Sequence, residues 1–267
     1  MEAEEVKKFA REKGADLVGI APADRFMGAP KGHRPGDLLP EAEGVVVMAM
    51  RIPLSVVKSI PSVYYNLSYH LINAQLRVLA HRVATYIEDR GFEALPLDPA
   101  ESDYVRDVEI TREEPEAGVR MLASFSHRHA AVLAGLGEMS KASYVVVPRL
   151  GPRVRFVSVL TTAHLRPDHE GAMSWGLICK PEACDSACVE ACPPGALTGD
   201  GRVDHFKCRR YRGPEVYTLD YFKRIVELID RGVPPMRRAE ILSRLHPELR
   251  VQICGRCVKA CPIGITV

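Results

Sequence analysis

The chain has 267 residues, with 36 lysines and arginines against 34 aspartates and glutamates, so its net charge of +2 provides no general attraction for nucleic acid or an anionic membrane. Its longest strongly apolar run, residues 44–50, is far shorter than the roughly 20 residues of a membrane span. The charged N-terminus lacks the apolar core of a signal peptide, so we expect a cytoplasmic protein. Asparagine and glutamine are rare, which favours a heat-adapted source.

The first 170 residues predict alternating helices and strands. The predicted elements, in chain order, are a helix over 3–13, a strand over 16–20, a loop rich in proline and glycine over 32–40, a buried strand over 44–50, a helix over 67–90, an acidic irregular stretch over 98–116, a helix over 127–134, and strands over 144–147 and 155–160. On the long helix, apolar residues recur on one side from Leu71 to Ile87. This order predicts an α/β or α+β domain over residues 1–170.

The cysteines separate a second domain from the first. All eight lie between residues 179 and 261, and a polar stretch with turn-forming residues over 166–171 suits a linker. Residues 188–195 (CVEACPPG) and 257–264 (CVKACPIG) match at six of eight positions, which indicates an internal repeat. We therefore expect a domain over 171–267, with a helical insert over about 214–249 that contains helices over 217–231 and 237–245.

The cysteine spacing predicts two [4Fe–4S] clusters. Each run ends in Cys-Pro, as in bacterial two-cluster ferredoxins, where the cysteine before the proline binds the other cluster. The same arrangement here assigns one cluster to Cys179, Cys184, Cys188 and Cys261, and the other to Cys192, Cys208, Cys254 and Cys257. The alternative is a pair of zinc sites, which would not account for a Cys-Pro ending in both halves. Structural disulfides are disfavoured in a cytosolic protein.

The front domain contains a further set of motifs. Residues 128–137 read RHAAVLAGLG and are followed by Ser140-Lys141, a glycine loop over 147–151 and a strand that ends at 160–162. In this order they resemble the R-x-x-A-x-x-A-G-L-G-x-x-G-K segment, short glycine loop and strand of epoxyqueuosine reductases, whose architecture is shared with reductive dehalogenases. The resemblance includes the two-cluster tail and spans about residues 3–267.

The resemblance implies a nitroreductase-like front domain that binds base-off cobalamin, followed by a ferredoxin-like domain with two [4Fe–4S] clusters. Arg128, Lys141 and the Gly151 loop would lie along the corrinoid. A flavin, which nitroreductase-like folds also bind, is the alternative cofactor. The implied partners are a low-potential electron donor such as ferredoxin or flavodoxin and a small-molecule substrate.

The chain departs from the family at the proton donor. The acidic residue expected seven positions before Arg128 is replaced by Met121, which cannot donate a proton. The other candidates are His127, His129, Tyr104, Asp103 and Asp107, of which the histidines flank Arg128 directly. This departure makes activity on tRNA less expected than reduction of a small electrophile. It also leaves open a second hypothesis, an electron-transfer protein that reduces a partner corrinoid protein or another cofactor.

Overall fold

The computed structural model describes residues 1–100, 123–167, 176, 178–212, 227–228, 230–233 and 253–264. Its helices are α1 (Ala3–Glu12), α2 (Pro35–Leu38), α3 (Leu54–Lys58), α4 (Val63–Glu88), α5 (His127–Leu133), α6 (Ala187–Glu190), α7 (His205–Arg212) and α8 (Arg256–Ala260). Its strands are β1 (Leu17–Pro22), β2 (Gly44–Arg51), β3 (Ala94–Pro96), β4 (Glu138–Met139), β5 (Val145–Val146) and β6 (Val154–Thr161). Within these ranges, no helix is both long and apolar enough to cross a membrane.

The centre of the front domain is a four-stranded sheet in the order β1-β2-β6-β3. Every neighbouring pair is antiparallel, and β2 pairs with β6 along its full length from Gly44 to Arg51. Both central strands are rich in valine and almost entirely buried, as the apolar run over 44–50 predicts. The expected mixed α/β class is confirmed, and the antiparallel pairing makes it an α+β arrangement.

Side chains of alternating direction on β2 build a core on each face of the sheet. Val46 and Met48 pack beneath α1, α3 and α4. Val45 and Val47 face the opposite side, where α5 and the small β4–β5 sheet cover them. The front domain therefore has helices on both faces of its sheet, and α5 brings the motif at 128–137 against β2 and β6.

Two sequence predictions differ from the structure in detail. The long helix begins at Val63 rather than at residue 67, because the Ser62 hydroxyl accepts a hydrogen bond from the Tyr65 amide and caps an earlier turn. Leu71 is 56% exposed, so it does not share the buried side that continues to Ile87. The predicted loop over 32–40 contains α2, which starts at Pro35, a residue favoured in a first helical turn.

Several predictions fall on other parts of the chain. Three predicted segments lie largely outside the described residues. They are the insert helices over 217–231 and 237–245, most of the acidic stretch over 98–116, and the end of the linker over 166–171. The boundary between residues 170 and 171 stays a prediction.

A close backbone approach joins the front domain to the end of the cysteine region. Gly151 and Gly264 both have left-handed backbones, with φ values of 61° and 72°. A Cβ atom on Gly151 would lie 1.8 Å from the Ile263 carbonyl oxygen, and one on Gly264 would lie 2.3 Å from the Leu150 carbonyl carbon. Arg153 adds a hydrogen bond to the Gly264 carbonyl oxygen at 3.0 Å. Only glycine fits at both positions of this contact.

We expect Gly151→Ala to lower the free energy of unfolding by about 2 to 5 kcal/mol, because alanine must adopt a left-handed backbone and also displace Ile263. Gly28→Ala is the matched control, since a Cβ there meets no atom within 4 Å. Urea denaturation of the full chain measures both. Equal stability of the two variants would contradict the close approach.

Candidate functional site

The two cysteine runs repeat in backbone conformation as well as in sequence. Ser186 precedes α6 with a φ of 52°, and Gly255 precedes α8 with a φ of 66°, both left-handed. Cys188 and Cys257 each follow two residues later, and α6 and α8 contact each other. The expected internal repeat is therefore a pair of equivalent turn-and-helix units.

The thiols fall into two electrostatic groups. Burial, together with the charges of Cys188 and Cys184, raises the pKa of Cys179, and burial with the charges of Cys188 and Cys179 raises that of Cys261. In the second group, burial and the charges of Cys254, Cys208 and Cys192 raise the pKa of Cys257 to about 12. The predicted ligand sets, Cys179, Cys184, Cys188 and Cys261, and Cys192, Cys208, Cys254 and Cys257, stay a prediction. Within the described part of the chain, no three His, Cys, Asp or Glu side chains converge on a single ion.

Tyr144 lies between these groups. Its hydroxyl donates a hydrogen bond to the Cys257 carbonyl oxygen at 2.9 Å, and its ring packs in an apolar cluster that includes Cys188 and Cys192. Burial and the nearby thiols raise the pKa of Tyr144 far above its ordinary value, so the hydroxyl keeps its proton and acts as a donor. One aromatic side chain from the front domain thereby contacts both halves of the repeat.

Glu138 fixes the start of the first cysteine run. Its carboxylate is buried and accepts hydrogen bonds from the amides of Gly176 at 2.9 Å, Ile178 at 2.8 Å and Cys179 at 3.3 Å. The backbone amide of Lys141 lowers the pKa of the Cys179 thiol and partly offsets the effect of burial. The strand β4 and the turn after it therefore hold the first cysteine from the side of the front domain.

The three residues predicted to lie along a corrinoid have different surroundings. Arg128 is half-buried and donates from Nη1 to the hydroxyl of Ser143 at 2.9 Å and to the Ser143 carbonyl oxygen. The Lys141 side chain is exposed. The space beside the Gly151 Cα is filled by Ile263 and Gly264, which gives this glycine a role in joining the two parts of the chain.

Two of the candidate proton donors lie on the first turn of α5. His127 Nε2 is 2.9 Å from the Asp98 carbonyl oxygen, which can only accept, so Nε2 carries a proton; Nδ1 is 2.9 Å from the Ser158 hydroxyl. His129 is exposed at one edge, and its Nδ1 is 2.7 Å from the Ser126 hydroxyl. Partial desolvation and the Arg128 charge lower the pKa of His129. Tyr104, Asp103, Asp107 and Met121 lie outside the described residues.

Sequence reasoning missed a polar network between α4 and β6. Arg77 binds both carboxylate oxygens of Asp98, at 2.6 and 3.1 Å. Arg155 donates to Asn73 at 2.9 Å and to the Pro99 carbonyl oxygen at 3.2 Å, and its guanidinium lies over the ring of Tyr69. The network fixes residues 98–99 beside His127. The one hint of this network in the sequence is Asn73, a polar residue on the apolar side of the long helix.

A surface groove of about 560 Å³ lies elsewhere, between α1, the end of β2 and the middle of α4. Lys13, Arg51 and Arg82 are among its lining residues. None of the predicted site residues lines it, so the cysteine groups and the α5 motif define the candidate site instead.

No protein-family model matches the chain. Among curated proteins it is 24% identical to the epoxyqueuosine reductase of Staphylococcus aureus, over 97% of this chain and 63% of that protein. It is 23% identical to a tetrachloroethene reductive dehalogenase of Desulfitobacterium hafniense, over 72% of this chain and 38% of that protein. The chain thus spans less than two thirds of the length of either relative.

Solved structures of both groups share the fold. An epoxyqueuosine reductase with an epoxyqueuosine-modified tRNA stem loop has a TM-score of 0.56 and 17% identity, and the match covers 98% of this chain and 64% of that one. A reductive dehalogenase whose structure suggests a mechanism for B12-dependent dehalogenation has a TM-score of 0.54 and 18% identity, over 95% and 37% of the two chains. The expected resemblance is confirmed. This chain is similar to both groups of reductases.

We expect His129 to titrate below the ordinary histidine value of about 6.5, and Arg128→Gln to move its pKa upward, because removing the neighbouring cation favours the protonated ring. The contribution of His129 to the free energy of unfolding is therefore fully present at pH values above its pKa in the unfolded chain. It is lost as the pH falls through the lower pKa of the folded chain. Imidazole proton NMR follows the titration. Arg82→Gln, on the far part of α4, is the control; equal shifts in both variants would contradict the assignment.

Proposed function

We propose that this chain is an iron–sulfur oxidoreductase that passes electrons through two [4Fe–4S] clusters to a base-off cobalamin, which reduces a small electrophilic substrate. The observation that carries the proposal is the repeated turn-and-helix unit with its Cys-Val-x-Ala-Cys-Pro segment, whose two copies contact each other through α6 and α8. In bacterial two-cluster ferredoxins the cysteine before the proline binds the opposite cluster, and we propose the same exchange here.

The chemistry of the thiol sets fits iron–sulfur clusters. Cys179, Cys184, Cys188 and Cys261 would hold the first, and Cys192, Cys208, Cys254 and Cys257 the second. Burial and the neighbouring thiolates raise the pKa of Cys179, Cys257 and Cys261. A cationic metal centre would favour the thiolate forms of these residues. Left-handed residues precede both α6 and α8, so the two cysteine-bearing units share one backbone turn. The second half of the chain is then a ferredoxin-like domain with a helical insert.

The residues around α5 fit a corrinoid at its rim. Arg128 uses only Nη1 in its contacts with Ser143, and its remaining guanidinium donors suit the amide carbonyl groups around a corrinoid. The exposed Lys141 side chain follows on the same segment. When bound, the clusters supply one-electron transfer and the corrinoid supplies a strongly reducing cobalt centre. We propose that the nitroreductase-like front domain provides this site.

The partners follow from this arrangement. A ferredoxin or flavodoxin would supply low-potential electrons, and the substrate would be a small electrophile. We favour a small substrate over tRNA because Met121 stands where the family carries its acidic proton donor. His127 and His129 are the described candidates for that proton, and Tyr104 is a third candidate from the acidic stretch.

The same substitution supports a second candidate function. With Met121 in place of the acid, the chain could reduce the corrinoid of a partner protein without substrate chemistry of its own. In His127 both ring nitrogens already have partners within the protein, which limits its use as a donor and agrees with this alternative. A flavin in the front domain is the alternative cofactor.

We expect Cys192→Ser to remove the same cluster as Cys208→Ser, and Cys261→Ser to remove the same cluster as Cys184→Ser, because each Cys-Pro cysteine serves the opposite half of the repeat. Iron analysis should show loss of about half the iron in each variant, if each cluster holds four irons. Electron paramagnetic resonance (EPR) of the reduced proteins identifies the remaining cluster. A Cys192→Ser spectrum that matches that of Cys184→Ser would contradict the pairing.

We expect the cluster-loaded protein to bind cob(II)alamin and to convert its EPR spectrum to a protein-bound base-off signal. Arg128→Gln should weaken this binding, because it removes guanidinium donors from the proposed site. Gly28→Ala is the control that should leave cobalamin binding unchanged, because an added Cβ at this position meets no atom within 4 Å. An unchanged free-cobalamin spectrum with intact clusters would favour the electron-transfer alternative, and a flavin released on denaturation would favour the flavin.

A further inference from the structure

We propose that Glu138 is a positioning residue that holds Cys179 in place and keeps the first cluster at low potential. The inference rests on the proposed function, since it concerns the cluster assigned to Cys179, Cys184, Cys188 and Cys261. Glu138 contacts the backbone of the first cysteine run with its side chain, and the cysteine pattern in the sequence does not reveal it.

The geometry of the carboxylate supports the positioning role. Glu138 lies on β4 of the front domain and is only 4% exposed. Its Oε1 accepts from Gly176 at 2.9 Å and Cys179 at 3.3 Å, and its Oε2 accepts from Ile178 at 2.8 Å. Three amides that converge on one carboxylate fix the backbone through Cys179, the first cysteine of the run.

The charge of the carboxylate supports the electrostatic role. The buried Glu138 Oε1 lies 3.3 Å from the Cys179 amide nitrogen, so the carboxylate charge is close to the first cysteine of the set. A reduced [4Fe–4S] centre carries one more negative charge than the oxidised centre, so a nearby buried carboxylate disfavours reduction. Glu138 therefore biases the first cluster toward the low potentials that reduction of a corrinoid requires.

Two substitutions separate the two roles. Glu138→Gln removes the charge and keeps the length; with its one oxygen toward Gly176 and Cys179 it loses only the Ile178 contact, so the first cluster should be retained with its midpoint potential shifted to a more positive value. Glu138→Asp keeps the charge but is one methylene shorter, so it cannot reach all three amides, and the protein should lose up to half of its iron. The clusters are followed by EPR-monitored redox titration and iron analysis of the full-length, cluster-loaded protein.

Glu43→Gln is the matched control, because Glu43 is exposed, pairs with His164 and loses the same charge. We expect it to leave both potentials and the iron content unchanged. A Glu138→Gln protein with both clusters and unmoved potentials overturns the electrostatic role. Full iron retention in Glu138→Asp overturns the positioning role. A wild-type protein that binds no iron–sulfur cluster overturns the proposed function itself, and that result is distinguishable from either of the others.

Discussion

The close approach of Gly151 to Gly264 is the constraint on which the candidate site depends. It brings the backbone of the last cysteine unit into contact with the front domain at a distance that no side chain would permit. Within the described part of the chain, the small apolar cluster around Cys188 has two other buried residues, Ala142 and Leu197, which makes it a weak core by itself. The cysteine units are therefore held by contacts to the front domain, including the Lys259 amine on the Ile60 carbonyl oxygen at 2.6 Å.

This support matters because the cysteine units bring like charges together. Burial and neighbouring thiolates raise the pKa of Cys179, Cys257 and Cys261, so the folded chain without metal favours protonated thiols at these positions. A bound metal centre would compensate the thiolate charge and couple cluster binding to folding of the region. Tyr144 and Glu138 come from the front domain and do not depend on that metal, so they can preset the positions of both units.

The front domain provides its own polar framework near the α5 motif. Arg77 and Arg155 reach from α4 and β6 to residues 98–99, and the Asp98 carbonyl oxygen accepts from His127. Burial alone would raise the pKa of Asp98, but the hydrogen bonds from Arg77 and the Ala100 amide lower it below its ordinary value. The carboxylate stays ionised and keeps Arg77 in place. This arrangement fixes one side of the α5 motif, whose first turn also carries Arg128.

The sequence by itself predicted the central strands and the repeat of the cysteine region. The apolar run over 44–50 predicted β2, the segment over 155–160 predicted β6, and the matching CVEACPPG and CVKACPIG segments predicted two equivalent units, because similar local residues adopt similar backbone turns. Tertiary structure decided which front-domain residues support them. Tyr144 meets Cys257 across 113 residues and Glu138 meets Ile178 across 40, distances over which no local periodicity carries information. It also placed Gly151 against Gly264 and left Leu71 exposed, since only the packed chain defines which backbone approaches a glycine and which helix face finds a neighbour.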